Sequence, residues 1–121
     1  MDESTVDWSN HPIMRTLEPG ETIQSLVPTG GAGLVVTDRR VAVAAAERIA
    51  LNVPFEGIRR IQFDIERQRP ATLVIVPEHP RDEPQVLAVP RERYREVASA
   101  LTIIGERLHD MGLGEGGPAR A

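Results

Sequence analysis

Seven strand-length apolar segments, followed by one long helical pattern, are the feature that most restricts the possible folds of this chain. The clearest segment is Arg59–Arg67, in which Ile61, Phe63 and Ile65 alternate with charged and amide residues. Alternation with a period of two is typical of a β-strand with one face in a core and one face in water. From Arg91 to Met111 the apolar residues instead recur at helical spacing. We therefore predict a mainly β (α+β) fold that ends in a single α-helix.

Turn residues between the apolar segments set the predicted strand boundaries. Seven strands are predicted, at Thr22–Val27, Leu34–Thr37, Arg40–Ala45, Ile49–Val53, Arg59–Arg67, Thr72–Val76 and Gln85–Val89. The glycine-rich stretch 29–33 is predicted to be a hairpin connection, because it lacks the Gly-Lys-Ser/Thr ending of a phosphate-binding loop. Pro90 suits the first turn of the helix. An amphipathic helix must bury its apolar side, so we expect it to cover an open end or face of the sheet.

The length of 121 residues and the single core-forming pattern predict one domain, residues 17–111. Residues 1–16 are mostly polar and are predicted to be a weakly ordered N-terminal arm. Residues 112–121 are rich in glycine and are predicted to be a flexible tail. The predicted core residues are Ile23, Leu34, Val36, Val41, Val43, Leu51, Ile61, Phe63, Ile65, Leu73, Ile75, Leu87, Val97, Leu101, Ile104 and Leu108.

Charge and composition exclude several kinds of function. All 14 basic residues are arginine, and 18 acidic residues give a net charge of −4, which disfavours binding to nucleic acid. The absence of cysteine rules out disulfide bonds and thiolate metal ligands. The histidines and carboxylates form no catalytic or metal-binding pattern, so we predict no enzyme activity, no metal and no cofactor. There is no signal-peptide pattern and no apolar run long enough to span a membrane, so a cytoplasmic location is expected.

Three short phrases, in order, resemble those of the bacterial pleckstrin-homology-like (PH-like) domains. They are Leu17–Glu21, Thr37–Arg40 and Val53–Ile58, and the single helix follows them. The resemblance covers residues 17–111. It implies a seven-stranded, strongly bent antiparallel barrel or sandwich, capped at one end by the C-terminal helix. It also implies a binding or scaffolding role rather than catalysis, with self-association in some members.

The sequence departs from the PH domains that bind phosphoinositides. Those domains carry basic residues on the first two strands and the loop between them, whereas residues 22–37 of this chain contain none. An inositol phosphate needs several such donors in one place. We therefore predict a non-catalytic module that binds a protein partner or itself. The alternative is a membrane-surface adaptor that binds anionic headgroups through arginines.

Four arginines form the candidate anion patch of that alternative. Arg39 and Arg40 follow the second predicted strand, and Arg59 and Arg60 begin the fifth. Guanidinium groups bind anions through paired hydrogen bonds. The competing interpretation is an ordinary solvated surface, because neighbouring strand residues point to opposite faces and nearby acidic residues neutralise much of the charge.

Other residues are candidates for contacts with a partner. Ile103 is predicted to lie on the polar side of the helix, and Ala42 and Ala44 on the outer side of the third strand. Exposed apolar residues in these places favour self-association, although single exposed apolar residues are also common in monomers. Trp8 either swings free or docks into an apolar groove, and docking is slightly favoured.

Overall fold

The computed structural model describes residues 8–110, which form seven strands, one α-helix and four short 3₁₀ helices. The strands are β1 (Ile23–Pro28), β2 (Ala32–Thr37), β3 (Arg40–Ala45), β4 (Ile49–Pro54), β5 (Ile58–Asp64), β6 (Ala71–Pro77) and β7 (Gln85–Val89). The α-helix, α1, spans Tyr94–Asp110. The 3₁₀ helices are Trp8–Asn10, Pro12–Thr16, Phe55–Gly57 and Arg91–Arg93.

The strands form two antiparallel sheets. One sheet has the order β1-β2-β3-β4 and the other has the order β5-β6-β7. Within each sheet consecutive strands are neighbours, as expected for short turns between antiparallel strands, whereas β4 and β5 belong to different sheets. The predicted class is therefore confirmed: a mainly β, α+β sandwich of seven antiparallel strands that is capped by one C-terminal helix.

Strand boundaries agree with the predicted ones to within three residues, and the largest difference occurs in β5. Its last paired residue is Asp64, which lies opposite Thr72. The chain then leaves the sheet, so Ile65 is 59% exposed and its assignment to the core is wrong. The alternation of apolar residues continues past the strand, but no partner strand continues with it.

The main core lies between the two sheets and under the helix. Val36, Val41, Leu73 and Ile75 are buried there as predicted. Phe55 is not among the predicted core residues, because it lies between two predicted strands. It is nevertheless fully buried in the 3₁₀ helix that joins β4 to β5. The predicted core residues Ile23, Ile61, Phe63, Leu101 and Leu108 are only half-buried.

Residues 8–16 cover the outer face of the four-stranded sheet. Ile13 is buried there against Val35 and Ala42, in a second apolar cluster separate from the main core. Residues 8–16 of the predicted weakly ordered arm thus lie against the sheet, and the weak order of the arm stays a prediction; residues 1–7 lie outside the described residues. Ala42 and Ala44 are both buried, so the prediction that they form an exposed strip is wrong. The small side chain of Ala42 leaves room for Ile13, which packs in the same cluster.

Helix α1 packs against β1, β2 and the Phe55–Gly57 turn. Val97, Ala100 and Ile104 are its fully buried residues. Ile103 is half-buried and packs against the main core, so its predicted exposure on the polar side is wrong. The helix buries a wider stripe than predicted, because it contacts several elements at once. Within residues 8–110 no helix is long and apolar enough to cross a membrane.

The predicted end of the helix at Met111 and the predicted tail, residues 112–121, lie outside the described residues. The helix begins at Tyr94, one 3₁₀ turn later than predicted. Pro90 precedes that turn in an extended conformation.

Candidate binding surfaces

Two arginines of the candidate anion patch are held by acidic residues. Arg39 Nη1 lies 2.8 Å from Glu18 Oε1, and Arg40 Nε lies 2.9 Å from Glu21 Oε2. These contacts tie the turn between β2 and β3 to the segment that leads into β1. The two guanidinium groups are thus largely neutralised within the molecule.

Glu21 is the centre of this network, and its side chain is fully buried. Burial raises the pKa of Glu21, but opposing interactions outweigh it. Thr37 Oγ1 donates a 2.6 Å hydrogen bond to the carboxylate, which also accepts from the amide of Glu18 and from Arg40. The net effect is a pKa below the usual range of a glutamate. The carboxylate is therefore ionised at neutral pH and fastens the turn.

Asp38 adds a further link in the same turn. Its carboxylate accepts a 2.9 Å hydrogen bond from the amide of Thr22, which lowers the pKa of Asp38. The Thr-Asp-Arg-Arg phrase thus has a structural role here. Its side chains hold the start of β1 against the β2–β3 turn.

Arg59 and Arg60 lie elsewhere, at the beginning of β5. They are exposed and line a cavity of about 450 Å³ together with Glu56, Glu78 and Leu108. Arg39 and Arg40 line a different cavity, which also includes Glu18. The four predicted arginines therefore do not line one common cavity, and acidic residues accompany each pair.

Trp8 lies over the backbone of β2. A Cβ atom built on Gly33 would come within 2.7 Å of Trp8 Cη2, so the absence of a side chain at Gly33 makes room for the indole. The indole is half-buried and its ring centroid lies 5.4 Å from that of His11. Trp8 thus contacts its own molecule, on the sheet face that the N-terminal segment covers.

His11 anchors the same segment by both of its ring nitrogens. Nε2 lies 2.5 Å from the carbonyl oxygen of Ala45, and Nδ1 accepts a 3.0 Å hydrogen bond from the amide of Ile13. A carbonyl only accepts and an amide N–H only donates, so the proton of the neutral ring lies on Nε2. This buried histidine is a structural anchor, and it was not identified from the sequence.

The outer face of the three-stranded sheet has no such cover among the described residues. We call it the valine face, defined as Val74, Val76, Val86 and Ala88. Val86 is 65% exposed and Ala88 is also exposed, while Val74 and Val76 are half-buried. Beside these residues β5 presents three exposed polar side chains, Arg60, Gln62 and Asp64.

The register of the sheet aligns these residues in rows. Gln62 lies opposite Val74, and Val74 lies opposite Val86. The valine face was missed because β6 is apolar at almost every position, so alternation does not show which side is buried. The signal present in the sequence is that Val74 and Val76 are apolar at the positions of β6 where alternation would place polar residues.

Among residues 8–110 there is no group of three or more His, Asp or Glu side chains that is arranged to hold a metal ion. Residues 8–110 thus form a small, helix-capped β-sandwich in which this part of the chain covers one outer sheet face and leaves the other uncovered. Comparison with protein-family models, with curated proteins and with solved structures finds no match in any of the three.

Proposed function

We propose that this chain is a PH-like binding and scaffolding module that acts through protein–protein contact, and specifically through self-assembly, rather than by catalysis. The valine face carries the proposal. Apolar residues that form a connected patch on a sheet face favour contact with another protein surface far more than scattered ones do. The order of seven strands and one final helix supports the PH-like assignment.

A second copy of the chain fits the charge pattern of this face. Consider a two-fold axis that runs across the strands along the row of Gln62, Val74 and Val86. Each residue of that row then lies over its own equivalent, and Arg60 of one copy lies over Asp64 of the other. The face is thus complementary to itself in both apolar and charged groups, as a two-fold interface requires.

The alternative function, a membrane-surface adaptor that uses Arg39, Arg40, Arg59 and Arg60, has weaker support. The first two arginines are ion-paired with Glu18 and Glu21. The last two share their cavity with Glu56 and Glu78. Acidic neighbours repel an anionic headgroup and reduce the attraction that exposed arginines provide.

Light scattering coupled to size-exclusion chromatography tests self-assembly. We expect the wild-type chain to have twice the mass of a monomer at high protein concentration, and Val86→Glu to have the mass of a monomer. Two charges brought together on an apolar face oppose association. Ser99→Glu, on the exposed side of α1, is the matched control and retains the wild-type mass. A wild-type chain that is monomeric throughout overturns the proposal.

A further inference from the structure

A further concave site lies where the connection between β5 and β6 meets the start of the helix. Arg67, Arg69 and Pro70 line it from one side, and Pro90, Arg91 and Tyr94 line it from the other. Its volume is about 310 Å³. That volume lies at the lower end of the range for small-molecule sites. None of the arginines in it belongs to the anion patch predicted from the sequence.

The site has an excess of positive charge. Arg69 Nε lies 3.0 Å from Glu66 Oε1, in a pair whose side chains are 72% and 52% exposed. The guanidinium groups of Arg67 and Arg91 have no hydrogen bond or ion pair with any of the residues 8–110. Three arginines thus line one cavity, two of them without a side-chain partner among residues 8–110 and the third in an exposed ion pair, in a chain whose net charge is −4.

The walls of the site contain rigid elements on both sides. Pro70 and Pro90 each fix one backbone torsion angle next to an arginine. The ring of Tyr94 meets that of Phe63 edge to face, with centroids 5.7 Å apart and an interplanar angle of 86°. Little backbone ordering is then needed when a ligand enters, which favours binding.

We propose that this site binds a phosphate group, either as inorganic phosphate or as part of a phosphate monoester. A guanidinium group offers parallel N–H donors that match two oxygens of a tetrahedral oxyanion. Arg67 and Arg91 approach from opposite sides and supply donors to different oxygens, and Arg69 exchanges Glu66 for the ligand. The remaining volume admits a small organic group on the fourth oxygen.

A phosphate group has two sources, a free phosphate ester or the headgroup of a phospholipid. Titration of the ¹⁵N-labelled full-length chain with inorganic phosphate and with glycerol 3-phosphate tests the first. Co-sedimentation with vesicles of phosphatidylcholine that contain phosphatidic acid tests the second, with pure phosphatidylcholine vesicles as the control. Binding to the esters assigns a free ligand, and binding only to the acidic vesicles assigns a headgroup.

The proposal predicts saturable amide shifts confined to residues 67–69 and 91–94, or vesicle binding by the same surface. Arg67→Gln and Arg91→Gln each weaken binding about tenfold, because each removes charged hydrogen bonds to the ligand. Arg81→Gln removes an exposed arginine of the β6–β7 connection and is the matched control, which binds as the wild type does. A circular dichroism spectrum of each variant establishes that it is folded.

Two results overturn the proposal. One is the absence of saturable binding to phosphate, to the ester and to the acidic vesicles. The other is equal weakening by all three substitutions, which shows attraction to overall charge rather than to this site. The outcome is independent of self-assembly, because Val86→Glu lies on the valine face and is expected to bind phosphate as the wild type does.

Discussion

Arg107, near the end of the helix, donates a 2.7 Å hydrogen bond to the main-chain carbonyl of Asp38, which precedes it by 69 residues. The same guanidinium group lies over the ring of Phe55, 5.5 Å from its centroid. One side chain thus joins the helix to the β2–β3 turn and to the turn between the sheets. This contact fixes how the helix caps the sandwich.

Replacing Arg107 with alanine is expected to destabilise the fold by about 2 kcal/mol, because a hydrogen bond from a charged donor and a cation–π contact are lost together. Arg95→Ala removes an exposed arginine from the same helix and is the control, with a change within about 0.5 kcal/mol. Chemical denaturation measures both free energies of unfolding. Equal values for the two variants contradict the capping role of Arg107.

Phe55 is expected to contribute more to stability than Phe63, although only Phe63 has an obvious core position in the sequence. Phe55 is fully buried, and Phe55→Ala leaves a cavity that costs about 3–5 kcal/mol. Phe63 is half-buried, and Phe63→Ala costs about 1–3 kcal/mol. Thermal melts of the two variants test the order. A larger loss of stability for Phe63→Ala contradicts the full burial of Phe55 in the Phe55–Gly57 turn.

Trp8 is the only tryptophan in the chain, so its fluorescence reports whether the N-terminal segment covers the sheet. Gly33→Ala places a Cβ atom in the space of the indole and is expected to shift the emission to longer wavelength as Trp8 moves into water. Gly105→Ala is the control, because a Cβ there meets nothing within 4 Å. That substitution is expected to stabilise the helix by up to about 1 kcal/mol and to leave the emission unchanged.

The Trp8 emission of His11→Ala is also expected to lie at longer wavelength than that of the wild type, because this variant loses the contacts to Ala45 and Ile13. His79→Ala is a closely matched control. His79 also precedes a proline and accepts a hydrogen bond from the amide two residues later, but it lies in an exposed loop. A shift in both variants, or in neither, contradicts the anchoring of the segment by His11.

The lowered pKa of Glu21 predicts how stability depends on pH. A carboxylate whose pKa is lower in the folded state stabilises the fold above its unfolded pKa of 4.5. That contribution is lost as the pH falls below 4.5 and through the folded-state pKa. Glu21→Gln is therefore expected to be less stable than the wild type at pH 7, with a difference that shrinks on acidification. Melting temperatures at a series of pH values measure this, with the exposed Glu92→Gln as control.

The strands were predictable because their local patterns coincide with the real sheet. Alternation in Arg59–Arg67 identified β5, and the turn residues around Gln85–Val89 gave β7 without error. Tight turns follow from a few neighbouring residues, as Thr37 and Asp38 illustrate. In such places the structure is determined by residues that are close to one another in the sequence.

The surfaces were not predictable because they depend on residues that are distant in sequence. Ala42 lies on the outer side of its strand, as the pattern predicts, yet it is buried by Ile13. Arg67 and Arg91 line one cavity only because β6 pairs with β7, which places Ala71 opposite Val89. Alternation identifies the faces of a strand, but it does not identify what covers them.

Sedimentation equilibrium of charge-reversal variants tests self-assembly through the valine face most directly. Arg60→Glu and Asp64→Arg should each weaken the dimer, because each places like charges opposite one another across the two-fold axis. The double variant restores opposite charges and should recover most of the wild-type dimerisation constant. A wild-type chain that remains a monomer at about 100 µM, or a double variant no tighter than the single ones, contradicts the proposed interface.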